Sequence, residues 1–409
     1  MNIRIQIQLS AMMFMEFFIW GAWYVTMGIY LPNTLNASDP EIAWAYSSQS
    51  WGAILAPFII GLIADRFFNA ERILGVLHLA GAILMYQIAS AGSFEIFFPY
   101  ILGYMILYMP TLALVNSVSF NQMDDPAKQF AFVRVFGTIG WIVAGLCISY
   151  LFQWDSPEGI ANGALKYTFM MTAVASALLG IFSFTLPKTP PRIDKTKRVR
   201  IADIVGWEAL KLLKDRNFLI FFIASILICI PLAFYYQHAG QFLGEVNISN
   251  PAGKLTIGQI SEILFMLLLP FFFRKFGFKR TMIVAMLAWA LRYMLFAYGS
   301  SGEMIWVVLL GIALHGICYD FFFVSGQIYT DSKAGEKYKS AAQGMITLAT
   351  YGLGMLIGFW TAGKITDVYL ASNGMHLWKT IWIYPAVFAF FVMTLFALFF
   401  KNEKISYEK

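Results

Sequence analysis

Twelve apolar runs, each long enough to cross a lipid bilayer, divide the 409-residue chain. A membrane-spanning helix needs about 20 predominantly apolar residues, and in hydrocarbon it must satisfy its own backbone hydrogen bonds. Only 13% of the residues are charged, about half of the roughly 25% that is usual in soluble proteins. The sequence therefore predicts an all-α polytopic membrane protein with helices near 7–31, 42–64, 71–91, 95–121, 129–153, 163–186, 217–244, 255–273, 279–299, 303–330, 340–363 and 378–400.

Basic residues are distributed by loop. Twenty-three Lys and Arg side chains lie at the termini or in the even-numbered loops, and four lie in the odd-numbered loops or at their helix ends. Because cytoplasmic loops carry the excess of Lys and Arg, we expect both termini in the cytoplasm. The net charge of +6 then reflects topology. It does not indicate a nucleic-acid partner, which would need its cations on one exposed face.

A long basic segment separates the sixth and seventh runs and contains "PKTPPRIDKTKRVR". We predict a cytoplasmic linker at 187–216 between a six-helix bundle at 1–186 and a second at 217–409. Matching residues recur at one offset: Pro57 and Pro270 are 213 positions apart in the second and eighth runs, as are Gly145 and Gly358 in the fifth and eleventh. Such an internal repeat is typical of transporters.

Other function classes lack their signatures. The three cysteines lie in apolar runs without CxxC spacing, and no two histidines are four residues apart, so neither a disulfide framework nor a metal site is expected. The chain has no HExxH motif, no Ser/His/Asp candidate set near one face and no catalytic domain outside the membrane. An intramembrane enzyme is therefore not expected, and the lack of a soluble output domain argues against a sensor.

Several motifs together resemble a known family. The segment "GLIADRFFNAERIL" after the second run, with Asp65 and Arg66, is similar to the loop signature of the major facilitator superfamily. More specific are "FIWGAWYV", "YMPTLALVNSVSF", "RVFGTIGW", "GQISEILFMLLLPFF", "LRYMLFAYG" and "HGICYDFFFVSG". With their spacing over about residues 5–400, the chain resembles the nucleoside:proton symporter family of bacterial inner membranes.

The resemblance implies an alternating-access carrier of two six-helix halves, with a central site. Carried over by motif, its site residues are Arg134, Thr138, Gln259, Glu262, Tyr319 and Asp320. Of the 71 aromatic residues, Trp141 and Tyr319 are the strongest candidates for stacking on the substrate, because they lie beside polar candidates. Trp141 stands in place of a Phe and keeps a stacking face.

Besides Trp141, the chain departs from the family pattern at four positions. Ala233 and Tyr236 replace a Gln and Asn pair in the seventh run, His315 replaces a Tyr, and Glu16 stands where nucleoside permeases have a neutral amide. Because hydrogen bonds in the pocket decide specificity, these changes leave the substrate open between a nucleoside and another polar ring, such as a modified nucleoside or a sugar derivative.

Charges inside the runs are functional candidates, since each costs at least about 2.5 kcal/mol to insert. Glu16, Glu262 and Arg292 each lie about 18 Å along the helix from a flanking cation, near the middle of the bilayer. We expect Glu262 to carry the proton and Asp320 to assist. Glu16 either pairs with Arg134 or joins the proton path, and Arg292 acts as a structural counter-ion.

The sequence thus predicts a monomeric proton-coupled symporter that imports nucleosides across the bacterial inner membrane, with the proton as coupling ion and no other cofactor. The expected partners are the nucleoside and the lipid bilayer. The expected substrate-binding residues are Arg134, Thr138, Trp141, Tyr236, Gln259, Glu262, His315 and Tyr319, and the expected proton-coupling residues are Glu262, Asp320 and Glu16.

Overall fold

The structure is a computed structural model that describes residues 2–59, 68–124, 126–190 and 207–403. Over these ranges the chain is helical apart from turns and one isolated β-bridge. The predicted loop residues Asp65 and Arg66, and positions 191–206 of the predicted linker, lie outside the described residues. The α-helices are α1 Ile3–Gly21, α2 Tyr24–Thr34, α3 Asp39–Ile59, α4 Ala70–Ala89, α5 Phe94–Asn121, α6 Pro126–Leu146, α7 Pro157–Ala161, α8 Lys166–Ser183, α9 Arg216–Glu245, α10 Pro251–Tyr298, α11 Ile305–Ala313, α12 His315–Tyr319, α13 Ser325–Thr347, α14 Met355–Val368 and α15 Trp378–Phe399.

Ten stretches of the described helices are long and apolar enough to cross a membrane. The α10 stretch holds both the eighth and the ninth predicted runs, and its backbone leaves the helical conformation at Gly277 (φ 73°, ψ 172°). Helix α3 covers the described part of the second run. The predicted all-α membrane fold is therefore confirmed, although the eighth and ninth runs are separated by a single kinked position and not by a loop.

Several ionisable side chains are buried and many apolar side chains are exposed, which is the reverse of the pattern in a soluble protein. The side chains of Glu16, Arg292 and Asp320 are fully buried, whereas Leu267 and Leu398 are 75% and 73% exposed. Apolar residues on the outer surface are stable where the surrounding solvent is hydrocarbon, and ionisable residues then face the protein interior.

The described residues belong to two units. Unit 1 comprises Met1–Arg200 and Ser249–Thr256, and unit 2 comprises Ile201–Ile248 and Ile257–Lys409. In unit 1, α1 packs on α6 and α8, and α4 packs on α5 and α8. In unit 2, α9 packs on α14 and α15.

Asp155 explains why the first turn of α10 belongs to unit 1. Its Oδ2 accepts hydrogen bonds from the backbone N–H of Ala252 (2.8 Å) and from Ser149 Oγ (2.6 Å). The same Ser149 Oγ accepts from the N–H of Gly253 at 2.7 Å. These bonds satisfy N–H groups that the start of a helix leaves free. Burial raises the pKa of the Asp155 carboxyl, which lies in the loop after the fifth span.

Glycines allow α1 and α6 to approach closely. A Cβ on Gly140 would lie 2.1 Å from the carbonyl oxygen of Phe14, and one on Gly137 would lie 2.7 Å from the ring of Phe17. Small residues at such interfaces let two membrane helices touch through their backbones. The approach also brings the Arg134 guanidinium to 4.1 Å from the centroid of the Phe17 ring.

Three predicted spans contain a π-helical segment: Cys147–Leu151, Asp320–Val324 and Leu348–Gly354. The second begins at Asp320, directly after Tyr319, and the third contains Tyr351. Such segments occur frequently at functional sites. They direct attention to the residues around α12.

Candidate functional site

An aromatic and polar cluster surrounds Glu262 in unit 2. The side chain of Glu262 is buried and lies close enough to Tyr236 and Tyr319 to interact electrostatically with both hydroxyls. The hydroxyls of Tyr319 and Tyr351 are hydrogen-bonded to each other. Three predicted site residues are thus brought together, and Tyr351, which the sequence analysis missed, joins them.

Close packing of α10 on α12 holds this cluster in register. The N–H of Gly316 donates to Ser261 Oγ at 3.0 Å, and Ser261 Oγ donates to the carbonyl of Gly258 at 2.7 Å. A Cβ on Gly316 would lie 2.5 Å from the Ser261 carbonyl, so only glycine permits this distance. Glu262, the next residue along α10, is thereby placed beside the face of α12 that carries Tyr319.

Arg292 and His315 form a second part of the unit 2 cluster. Arg292 Nη1 lies 3.0 Å from His315 Nδ1, and the guanidinium carbon lies 3.4 Å from the centroid of the Tyr235 ring. A guanidinium can only donate, so Nδ1 of His315 accepts, and this imidazole is neutral with its proton on Nε2. The sequence predicted that Arg292 acts as a structural counter-ion. In the structure its contacts include a neutral imidazole and an aromatic face.

Gln259 and Asp320 are both buried in unit 2. Within the described part of the chain, Oε1 of Gln259 has no hydrogen-bond partner. An unpaired buried acceptor costs about 1–3 kcal/mol, which a donor on a bound ligand would recover. Asp320 is fully buried at the first position of its π-helical segment.

Helix α6 carries three predicted site residues of unit 1 on successive turns. Arg134 is half-buried over Phe17, and Thr138 is buried. Trp141 meets Trp20 edge to face, with ring centroids 5.6 Å apart. These residues present a cation, a hydroxyl and an aromatic face along one helix.

Trp20 is a further candidate that the sequence analysis did not include among the site residues. Its ring also contacts Tyr24 and Tyr108, at centroid distances of 5.8 and 5.7 Å. The indole Nε1 is buried and has no hydrogen-bond partner among the residues that the structure describes. An indole N–H can only donate, so it suits an acceptor on a ligand.

Glu16 lies beside His78. Its Oε2 is 2.8 Å from Nε2 of His78, and both side chains are buried. Thr111 Oγ1 lies 2.6 Å from Glu16 Oε1 and 2.5 Å from the carbonyl oxygen of Tyr108, and the Tyr108 hydroxyl donates to the carbonyl oxygen of Glu16 at 2.8 Å. The hydrogen-bond partner of Glu16 on α4 is therefore a histidine, and of the two alternatives for Glu16 the pairing with Arg134 is not the contact seen here.

Among residues 2–59, 68–124, 126–190 and 207–403, no group of three or more His, Cys, Asp or Glu side chains is arranged to hold a metal ion.

Known proteins resemble the chain over nearly its whole length. A family model described as "Nucleoside H+ symporter" matches residues 1–405. The putative nucleoside transporter YegT of Escherichia coli (strain K12) is 43% identical over 403 residues, which are 97% of this chain and 94% of that protein. The nucleoside permease NupG of the same organism is 31% identical over 415 residues, covering 97% of this chain and 96% of NupG. The crystal structure of the nucleoside transporter NupG superposes with a TM-score of 0.85 at 30% identity, covering 98% of this chain and all of that one.

Proposed function

Because this chain belongs to the nucleoside H⁺ symporter family, we propose that it imports nucleosides together with protons across the bacterial inner membrane by alternating access. It is a multi-pass transporter of the major facilitator fold, and it is not an enzyme. The proposal includes a monomer with both termini in the cytoplasm and a linker at 187–216 between two six-helix halves.

The observation that carries this function is the pairing of a buried carboxyl with an unsatisfied amide on one helix. Gln259 and Glu262 are three residues apart on α10, so their side chains lie on neighbouring positions of one face. The amide oxygen of Gln259 lacks a partner among the described residues, while Glu262 lies beside two tyrosine hydroxyls. A substrate donor and a proton can thus be bound side by side.

We assign substrate binding to Arg134, Thr138 and Trp141 in unit 1, and to Tyr236, Gln259, Glu262, His315 and Tyr319 in unit 2. Proton coupling is assigned to Glu262, Asp320 and Glu16. Aromatic faces stack on the base, while the amide, hydroxyl and guanidinium groups hydrogen-bond the substrate. Protonation of Glu262 removes its charge from the membrane interior, which lowers the cost of the conformational change.

A modified nucleoside or a sugar derivative is the second candidate substrate under the same mechanism. His315 supports it, because a neutral imidazole whose Nδ1 is occupied by Arg292 presents a single N–H at Nε2. The family pattern has a tyrosine hydroxyl here, which both donates and accepts. A substrate with a different arrangement of polar groups is therefore compatible with this position.

Transport into proteoliposomes tests the function. The purified chain is expected to accumulate a labelled nucleoside only when an inward proton gradient is imposed, and to discriminate among nucleosides, nucleobases and sugars. Empty liposomes and liposomes treated with a protonophore are the controls. Accumulation of a sugar derivative without nucleoside uptake would replace the first candidate by the second, and an absence of any uptake would contradict the transporter function.

Arg134→Ala is expected to weaken substrate binding by about 10- to 100-fold, because a hydrogen bond from a charged donor contributes about 1.5–3 kcal/mol. Equilibrium binding of labelled nucleoside to the detergent-purified protein measures the effect. Arg4→Ala removes an exposed cation of the same unit and serves as the matched control. Equal affinities for both variants would remove Arg134 from the substrate-binding set.

A further inference from the structure

Glu16 and His78 form a buried pair inside unit 1. Their side chains are 0% and 1% exposed, and Glu16 Oε2 lies 2.8 Å from His78 Nε2. The pair joins α1 to α4, two helices that are separated by 62 positions in the sequence at these residues. An ionisable pair so deep in the membrane interior requires a function or a compensating interaction.

Hydrogen bonding at Ser176 determines where one imidazole proton lies. Ser176 Oγ donates its single hydrogen to the carbonyl oxygen of His78 at 2.9 Å. The same oxygen lies 3.1 Å from Nδ1 of His78, so it can only accept there. Nδ1 therefore carries a proton, and Nε2 is left to face the Glu16 carboxyl.

A second proton must lie in the contact between Nε2 and Oε2. Either Nε2 donates it to a carboxylate, which gives an imidazolium and a carboxylate, or a protonated carboxyl donates it to neutral Nε2. Both arrangements have no net charge and contain the same number of protons. Without that proton, two lone pairs would face each other at 2.8 Å. Loss of the proton therefore breaks the contact between α1 and α4.

The groups around Glu16 and His78 favour a pair that keeps the shared proton and so has no net charge. Tyr104 and Tyr108 of α5 interact electrostatically with Glu16, and they are neutral groups at ordinary pH. Thr111 on the same helix places its hydroxyl 2.6 Å from Oε1 and 2.5 Å from the carbonyl oxygen of Tyr108, and Ser176 of α8 binds only the histidine. Arg134 of α6 is a cation near Tyr108, and its charge interacts with the Tyr108 hydroxyl. A lone carboxylate here would lack the solvation that charge requires.

The pair is also linked to the predicted substrate residues. Trp20 follows Glu16 by one turn on α1, and its ring contacts both Trp141 and Tyr108. Tyr108 in turn donates to the carbonyl oxygen of Glu16. Movement of Glu16 away from His78 would therefore shift the aromatic group against which Trp141 packs.

We propose that Glu16 and His78 form a proton-binding site of this transporter, separate from Glu262, which holds one proton in their shared hydrogen bond and releases it when α1 moves away from α4. The existence of the site depends only on the geometry of unit 1. Its part in transport rests on the proposed function, because only a symporter would carry this proton with its substrate.

Nitrogen NMR of histidine-labelled protein tests the site directly. Wild-type His78, assigned by its loss in His78→Asn, is expected to show a protonated Nδ1 and an Nε2 that shares a proton. In Glu16→Gln the amide NH2 can donate to a bare Nε2, and the side chain has no carboxylate charge to stabilise an imidazolium, so His78 should become a neutral imidazole and the protein should bind about one proton fewer in a pH titration. Glu245→Gln is the matched control, because it breaks the partly exposed pair in which His376 Nδ1 lies 2.8 Å from Glu245.

A bare Nδ1 on His78 in the wild type would overturn the proposal, as would an unchanged proton count in Glu16→Gln. The wild-type spectrum suffices for the first decision if Glu16→Gln fails to fold, with His78→Asn providing the assignment. If both variants fail to fold, Thr111→Val replaces them, because it keeps the pair and shifts the His78 signals enough to assign them. A protonated Nδ1 then supports the proposal, and a bare Nδ1 overturns it.

Transport stoichiometry tests the second part. In proteoliposomes, Glu16→Gln is expected to carry about one proton fewer per substrate than the wild type. An unchanged stoichiometry would restrict the pair to a structural role. Failure of the proposed function is distinguishable, because the wild type would then transport no nucleoside while the spectroscopic result for His78 still stood.

Discussion

Glu262→Gln is expected to lower proton-driven accumulation by roughly 500-fold while leaving nucleoside binding and exchange intact. One proton moving down about 100 mV and one pH unit supplies about 3.7 kcal/mol, enough for roughly 500-fold accumulation. The amide has nearly the shape of the carboxyl and can still hydrogen-bond Tyr236 or Tyr319, but it cannot bind the proton. Accumulation should therefore lose the contribution of this one proton, and any accumulation that remains is driven by the proton that Glu16 and His78 share.

The measurement compares gradient-driven uptake with counterflow in the same proteoliposomes. Glu303→Gln removes an exposed carboxyl from unit 2 and is expected to behave as the wild type. If Glu262→Gln accumulates nucleoside as strongly as the wild type, Glu262 has no part in coupling. Loss of counterflow together with accumulation would instead indicate a defect in substrate binding.

Gly140→Ala is expected to destabilise unit 1 strongly. The new methyl group would lie 2.1 Å from the carbonyl oxygen of Phe14 and 3.1 Å from the backbone nitrogen of Phe18. Neither atom belongs to a side chain that could rotate away, so α1 and α6 must separate. Overpacking of this kind costs typically about 1–3 kcal/mol, and the rigid contact here places the cost at or above the upper value.

Thermal unfolding of the detergent-purified protein measures this effect. Gly103→Ala is the matched control, because a Cβ there meets only the Leu84 side chain, at 3.6 Å. That control should be neutral or more stable by about 0.5–1 kcal/mol, since alanine favours the helix. Equal melting temperatures for the two variants would show that α1 and α6 do not depend on this contact.

The fold was predictable because the bilayer imposes one requirement on every span. Long apolar runs can only become helices in hydrocarbon, so hydropathy alone indicates their number and approximate limits. The direct continuation of the eighth span into the ninth at Gly277 was not predictable, because the cations near this position resemble those of a cytoplasmic loop. They flank a single residue with positive φ, which glycine adopts without steric cost.

The candidate site, like the fold, was predictable only in part. Motifs identified Glu262 and Tyr319, which lie close together in the structure, but they carried no information on Tyr351, which reaches Tyr319 from 32 positions away. His78 was missed because one histidine in an apolar helix has no periodic pattern that names its partner. Contacts between helices depend on which faces meet, and a single sequence does not specify that.

The π-helical segment at Asp320–Val324 changes how the tenth span must be interpreted. A π-turn accommodates one residue more than an α-turn, which displaces the following side chains by about 100° around the helix axis. Asp320 and Asp331, eleven positions apart, would share a face of an unbroken α-helix. A single helical wheel therefore assigns the wrong face to every position beyond Val324. The direction of each side chain around the helix axis has to be worked out separately for the residues before and after the π-helical segment.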